Sequence, residues 1–302
     1  MGQVEKGVYL DSWGVKWRVV DDMPWYLEGT LKTDEDLENF VTPNPDDSRI
    51  YEPIEQIVKL VGGELAIGGV VEGPFTRSWI PMGIQTFIKM LYTNRNVIQR
   101  FIEKVTDFLI EMGKNQIDIG VDAIWIPDDM GYVHGLLMSP KLFRDFIIPP
   151  LKKMIDAFKR RGAKVLMHND GQIMALMDDL VGAGIDAIHP LERAAGMSLK
   201  TMKDKYGDKI TLIGNVDSKT VLQYGPLGQI KEQVLECLRT AASGGGYILA
   251  SDHSVHEGIP SDNIKYMFKI ARRYGKYPVC LLYTSDAADE GLGVDLGGRR
   301  II

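Results

Sequence analysis

Cysteine is nearly absent from this chain of 302 residues, with Cys237 and Cys280 its only two. That excludes a disulfide framework as the main source of stability and fits a reducing compartment. Cys237 falls inside the helical pattern IKEQVLECLRTAA, where a packed thiol is expected rather than a nucleophile. No apolar run reaches the roughly 18 residues that a bilayer span requires. The opening MGQVEKGVYLDSWG also lacks the apolar core of a signal peptide. The expectation is a cytoplasmic protein without a membrane partner. Positive charge is scarce too, since 35 Lys and Arg face 41 Asp and Glu for a formal net charge of -6. The only basic clusters, KRRGAK (159–164) and ARRYGK (271–276), sit where helices should end and complement their carbonyl termini. No nucleic-acid footprint is expected. Neither G-x-G-x-x-G nor a Walker loop occurs, which argues against a nucleotide cofactor.

What is present is a repeated grammar from Leu65 onward, in which a short apolar run is followed by small or polar residues and then by helical periodicity. Strands are expected at 65–71, 122–127, 164–168, 186–190, 210–215 and 247–251. Helices are expected at IQTFIKMLYT, NVIQRFIEKVTDFLIEMGKNQI, SPKLFRDFIIPPLKKMIDAFKRR, IMALMDDLVGAG and PLGQIKEQVLECLRTAAS. Ser139 followed by Pro140 reads as an N-cap and N1 pair, Gly162 and Gly184 as helix ends, and GGGY (244–247) as a tight turn into a strand. Alternating βα units imply a parallel sheet, and the near-continuous apolar strands imply cover on both faces. With no phosphate loop, a TIM-type (β/α)8 barrel is preferred over a doubly wound sheet. Six βα units are legible where a closed barrel needs eight, so the first units are expected to be missing, leaving strand edges prone to aggregation. The first 60 residues read as loops, a short hairpin and a helix at about 33–40. Residues 1–279 form the expected barrel domain. The remainder, 280–302, changes character and looks like the conceptual translation of a sequencing adapter, with no function expected of it.

A barrel gathers the carboxyl ends of its strands at one mouth, where catalytic groups concentrate. Here every strand ends in chemistry: Glu72; Asp128 and Asp129; His168 with Asp170; Glu192; Asn215 and Asp217; Asp252 and His253. Any one Asp or Asn could serve only as a local cap. Six such ends together argue for a site. His168, Asp170 and His253, with Glu72 as a fourth, form a set of N and O donors suited to a divalent metal.

GPFT (73–76), MSPKLFRDFIIPPLKKMI (138–155), HNDG (168–171), AGIDAIHPLE (183–192), GNVD (214–217), GGGYILASDHSVHEGIP (244–260) and NIKYM (263–267) resemble, in order and spacing, the uroporphyrinogen decarboxylase superfamily. The resemblance covers about residues 65–277 and implies a (β/α)8 barrel. It also implies one of two chemistries, cofactor-free decarboxylation of uroporphyrinogen or zinc-dependent methyl transfer between a corrinoid protein and a thiol or related acceptor. The methyltransferases show H-x-C-G where this chain has His168-Asn169-Asp170-Gly171, and a further Cys near the last strand, where Asp252-His253 stands. Carried over, the ligands become His168, Asp170 and His253, a harder set than thiolates. The decarboxylases' arginine-rich amino-terminal segment and its following aspartate are not visible, and His253 matches their G-H-G histidine only in part. The reading preferred on these grounds is a metal-assisted, methyltransferase-like enzyme acting with a corrinoid protein, zinc being the expected ion. Asp129, Glu192, Asp217 and His253 are its catalytic candidates, and Tyr132, Asn215, Asp128 and Asp252 its substrate contacts. The alternatives are decarboxylation of a tetrapyrrole, and a non-catalytic barrel that binds a tetrapyrrole or corrinoid.

Overall fold

The computed structural model describes residues 2–20, 23–277 and 279. The tail read as adapter-derived lies outside them. The amino-terminal segment is more ordered than a loop with one hairpin. It forms an antiparallel meander of β1 (Gly2–Glu5), β2 (Val8–Leu10), β3 (Val15–Val20) and β4 (Met23–Gly29) in the order β1-β2-β3-β4. These strands escape a reading by alternation because β1 is exposed throughout and β3 buries only Val15. Their turns use Gly7 and Gly14, both at positive φ. Asp11 fixes the second turn by accepting hydrogen bonds from the Trp13 and Val15 amides and from Trp17 Nε1. Trp13 then packs on Phe40 and Phe108, tying the meander to the body. The expected helix near 33–40 is α1 (Asp34–Asn39), closed by a Thr33–Asp36 capping box. It is followed by α2 (Glu52–Val61).

The body is a six-stranded parallel sheet. Its strands are β5 (Gly68–Val70) and β6 (Ala123–Pro127), then, beyond a small hairpin of β7 (Gly131–Tyr132) and β8 (Gly135–Leu136), β9 (Lys164–His168), β10 (Ala187–His189), β11 (Thr211–Val216) and β12 (Tyr247–Ser251). Parallel strands successive in the chain are neighbours in the sheet, in the order β12-β11-β10-β9-β6-β5. That order never reverses, so the sheet has no switch point of the doubly wound kind and curls as part of a (β/α) barrel. Among the described residues β5 and β12 are its two edges.

Helices connect the strands. Between β5 and β6 lie α3 (Pro74–Trp79), α4 (Ile84–Thr93) and α5 (Arg95–Ile119), and between β6 and β9 lie α6 (Pro140–Phe146) and α7 (Ile148–Arg160). Then come α8 (Met177–Ala183), α9 (Leu199–Tyr206), α10 (Val221–Tyr224) and α11 (Leu227–Cys237), with α12 (Ser261–Tyr274) last. The single helix expected at 139–161 is two, because Pro149 and Pro150 lack N–H donors and fit only the first turn of a new helix. Ser139 caps α6 as expected, and Gly184 ends α8 in the left-handed region.

Burial alternates along β6 and β9, whereas β11 is buried on both faces from Leu212 to Val216, so the expectation of cover on both faces holds for β11 and not for β6 and β9. Ile124, Ile126, Val165, Met167, Ile188 and Leu212 face the helices and are fully buried. Trp125, Leu166 and His168 alternate with them and are only half-buried. Each fully buried Ile or Val contributes about 1.5–3 kcal/mol of transfer free energy. The helix-facing layer therefore holds the sheet rigid while the other face carries the polar groups. No helix among the described residues is long and apolar enough to cross a membrane.

Candidate metal centre

The carboxyl ends of β6 and β9 bring three ligand-bearing side chains together. Asp129 follows β6, His168 ends β9 and Asp170 lies two residues on, and one ligand atom from each falls within 4.8 Å of the others. His168 Nε2 lies 3.6 Å from Asp170 Oδ1 and 3.9 Å from Asp129 Oδ1. The Asp170 amide donates to Asp129 Oδ1 at 2.9 Å, which locks the two loops into one arrangement. His253, from the loop after β12, reaches Asp170 Oδ2 at 3.1 Å through Nε2 but stands outside the three-residue cluster. Glu72 is also outside it. Its carboxylate is engaged by Arg77, whose guanidinium stacks 4.9 Å from the Trp13 ring centroid.

The charges of this cluster are tightly coupled. Burial disfavours the His168 cation, yet the contact with Asp170 and the charge of Asp129 outweigh it and hold the imidazole above its usual pKa. Burial likewise opposes ionisation of Asp170, but His168, His253 and His189 together keep it below the ordinary carboxylate range. Burial, with the neighbouring Asp170 charge, raises Asp129. Beside His168 stands His189, pushed down to about 4 by burial and by the charge of His168.

The other expected site residues take up positions that shape this centre. Asp128 is fully buried and accepts from the Phe75 and Thr76 amides at the start of α3, burial raising its pKa to about 7. Gly73 must lack a side chain because a Cβ there would stand 2.1 Å from the Asp128 carboxyl carbon. Glu192 is 4% exposed and bridges two loops, accepting from the Gly171 amide at 2.9 Å and from Lys219 Nζ at 2.7 Å. Asp252 receives both the amide and the hydroxyl of Ser218 at 2.8 Å. Asp217 caps the turn into α10 through the Thr220 amide and hydroxyl. Asn215 is 1% exposed and donates to the Leu191 carbonyl at 2.8 Å. Tyr132 stands half exposed on the β7–β8 hairpin, edge-on to His134. The structure thus unites Asp129, His168 and Asp170, sets His253 beside them, and gives Asp128, Asp217, Asp252, Asn215 and Glu192 bonds to loop backbone.

Three participants were not singled out by sequence reasoning. Lys219 carries the cation that faces Glu192, and its only signal is its place just past GNVD. Asn169, inside HNDG, accepts from the Met130 amide at 3.1 Å and donates to the Asp128 carbonyl, joining the β6 and β9 loops. Arg193 donates through Nε to the Asn215 carbonyl at 2.5 Å and lies 3.3 Å from the buried Cys237 sulfur. Cys237 is therefore a packed thiol, as expected.

The sequence profile of the family described as uroporphyrinogen decarboxylase matches residues 8–274. A methylcobamide:CoM methyltransferase from Methanosarcina barkeri is 25% identical over 225 residues, 74% of this chain and 63% of that protein. A uroporphyrinogen decarboxylase from Vibrio cholerae is 25% identical over 246 residues, 78% of this chain and 66% of its own. A solved methyltransferase from Methanosarcina mazei superposes with a TM-score of 0.75 at 23% identity, over 88% of this chain and 77% of the other, and so shares the fold. The chain spans about 63% of the length of the first of these relatives. The matched profile takes in the meander from β2 onward, the six parallel strands and every residue of the mouth, and the chain belongs to the uroporphyrinogen decarboxylase family, whose matched relatives are enzymes of two kinds, methyltransferases and decarboxylases.

Proposed function

We propose that the chain is a metal-assisted, methyltransferase-like enzyme that takes a methyl group from a corrinoid and passes it to a small acceptor. The observation that carries this reading is the Asp129, His168 and Asp170 cluster at the barrel mouth. The residues fit a divalent cation. Asp170 Oδ1 is buried without a hydrogen-bond partner, and Asp129 brings a second carboxylate to the same imidazole nitrogen, an arrangement that a cation would satisfy. His168 Nε2 with one oxygen each from Asp129 and Asp170 would hold it, zinc being the ion that the methyltransferase resemblance favours. When bound, such an ion lowers the pKa of an acceptor thiol or hydroxyl so that it reacts as an anion.

The chain's own groups do the rest. His253, 40% exposed at its side chain and 3.1 Å from Asp170, is placed to take the acceptor's proton. The acceptor's electron pair then forms the bond to the methyl carbon while cobalt keeps the pair of the broken cobalt–carbon bond. Tyr132 offers a half-exposed ring at the rim for a flat substrate. Glu192 and Lys219 hold the turn that carries Asp170.

Incubating the protein with methylcob(III)alamin and a small thiol, and following cobalt absorbance, tests the proposal. Demethylation that disappears with chelator and in His168→Ala supports it, and no demethylation with metal present overturns it. The likeness to the Vibrio cholerae decarboxylase favours a second reading, decarboxylation of a tetrapyrrole. That activity would survive the chelator.

A further inference from the structure

His168 and His189 occupy directly paired positions on the neighbouring parallel strands β9 and β10. Paired residues of parallel strands project to the same face, so the two imidazoles meet at the mouth. Their rings are nearly stacked, with centroids 4.9 Å apart and planes 28° from parallel, and their Nδ1 atoms are 2.7 Å apart. The Trp125 ring lies 5.1 Å from His189, and the His189 carbonyl accepts from the Asn169 amide at 3.0 Å, so His189 is fixed from two sides.

A 2.7 Å contact between two ring nitrogens holds one proton, which must belong to one ring or the other. The far nitrogen of His168 faces the carboxylates of Asp129 and Asp170, while His189 meets no carboxylate within ion-pairing distance among the described residues. A cation held between those carboxylates and Nε2 leaves Nδ1 as the one His168 nitrogen that can carry the proton. A metal-ligating histidine is commonly oriented in this way, through a hydrogen bond from its second ring nitrogen.

We propose that His189 is the positioning residue of this site: its Nδ1 accepts the His168 Nδ1 proton, which sets the His168 ring and reserves Nε2 for a cation. The inference rests on the metal reading above. With the proton on His189 instead, neutral His168 would carry its own proton on Nε2 and be closed to the ion.

Nitrogen-15 spectra of the histidine side chains, recorded on metal-free protein, decide where the proton sits. Zinc titration by competition with a chromophoric chelator then measures the consequence in wild type, His189→Gln, which keeps an acceptor, and His189→Leu, which has none. The expected result is a protonated His168 Nδ1 coupled through the hydrogen bond to His189 Nδ1. Zinc affinity should fall about 10- to 100-fold in His189→Leu and stay within about threefold of wild type in His189→Gln. A proton on His189 Nδ1, or a folded His189→Leu that binds zinc like wild type, overturns the inference alone. A wild-type protein that takes up no zinc, its His168 Nδ1 still protonated, overturns the metal reading and the reserving role with it.

Discussion

Replacing Glu192 tests whether the turn bearing Asp170 is held from below. Its Oε2 accepts from the Gly171 amide at 2.9 Å and its Oε1 from Lys219 at 2.7 Å, with the glutamate buried and the lysine half exposed. A buried hydrogen bond to a charged acceptor is worth roughly 1.5–3 kcal/mol. The ion pair adds at most about 1 kcal/mol, because water screens the exposed lysine. Glu192→Leu removes both and should cost about 2–4 kcal/mol, whereas Glu192→Gln keeps an oxygen for Gly171 and should cost about 1 kcal/mol. Gly171 sits at φ +84°, where a Cβ would stand 2.4 Å from the Tyr132 amide nitrogen, so this turn cannot re-form with an ordinary residue in its place. Losing the Gly171 anchor should therefore also displace Asp170 and weaken divalent-metal affinity by about 10-fold or more. Denaturant unfolding gives the first quantity and metal titration the second. A Glu192→Leu protein within about 0.5 kcal/mol of wild type, binding metal equally well, would show that the bridge positions nothing.

Three other outcomes follow from the same geometry. Gly73→Ala forces a methyl group into the Asp128 carboxyl, so thermal melting should show destabilisation of about 1–3 kcal/mol. Asp128 has a folded pKa of about 7, raised above the unfolded carboxylate value, so the native state binds the extra proton between about pH 4 and 7 and stability falls as pH rises through that window. Asp128→Asn should abolish that fall, a few kcal/mol across the window, in denaturation curves taken from pH 4 to 8, and an unchanged pH dependence would refute the assignment. Asp170→Cys supplies a softer ligand and should shift preference toward zinc over magnesium or manganese, measured by competition between the ions.

The barrel strands were legible because burial and turn chemistry agree locally. Lys164–His168 and Tyr247–Ser251 fall at the expected residues, each bounded by a glycine-bearing turn or a polar rim. The meander was not, since β1 is exposed throughout and β3 buries only Val15, which leaves no alternation to read. At the mouth, His168 and Asp170 were marked by their place at the end of a strand and by the family resemblance of HNDG. Asp129 as their companion, the Glu192–Lys219 bridge and the His189 contact depend on register between strands distant in sequence, which no local pattern encodes. Asp128, Asp217 and Asp252 illustrate the same limit, for a strand-end aspartate that caps a loop and one that binds a ligand look alike until their partners are placed.

The central claim is that Asp129, His168 and Asp170 hold one divalent cation, and metal analysis of the purified protein beside Asp129→Ala, His168→Ala and Asp170→Ala tests it most directly. The account predicts about one equivalent of metal in wild type and loss of it in all three variants. Wild-type protein prepared without chelator and still free of metal, or variants that retain the ion, would contradict it.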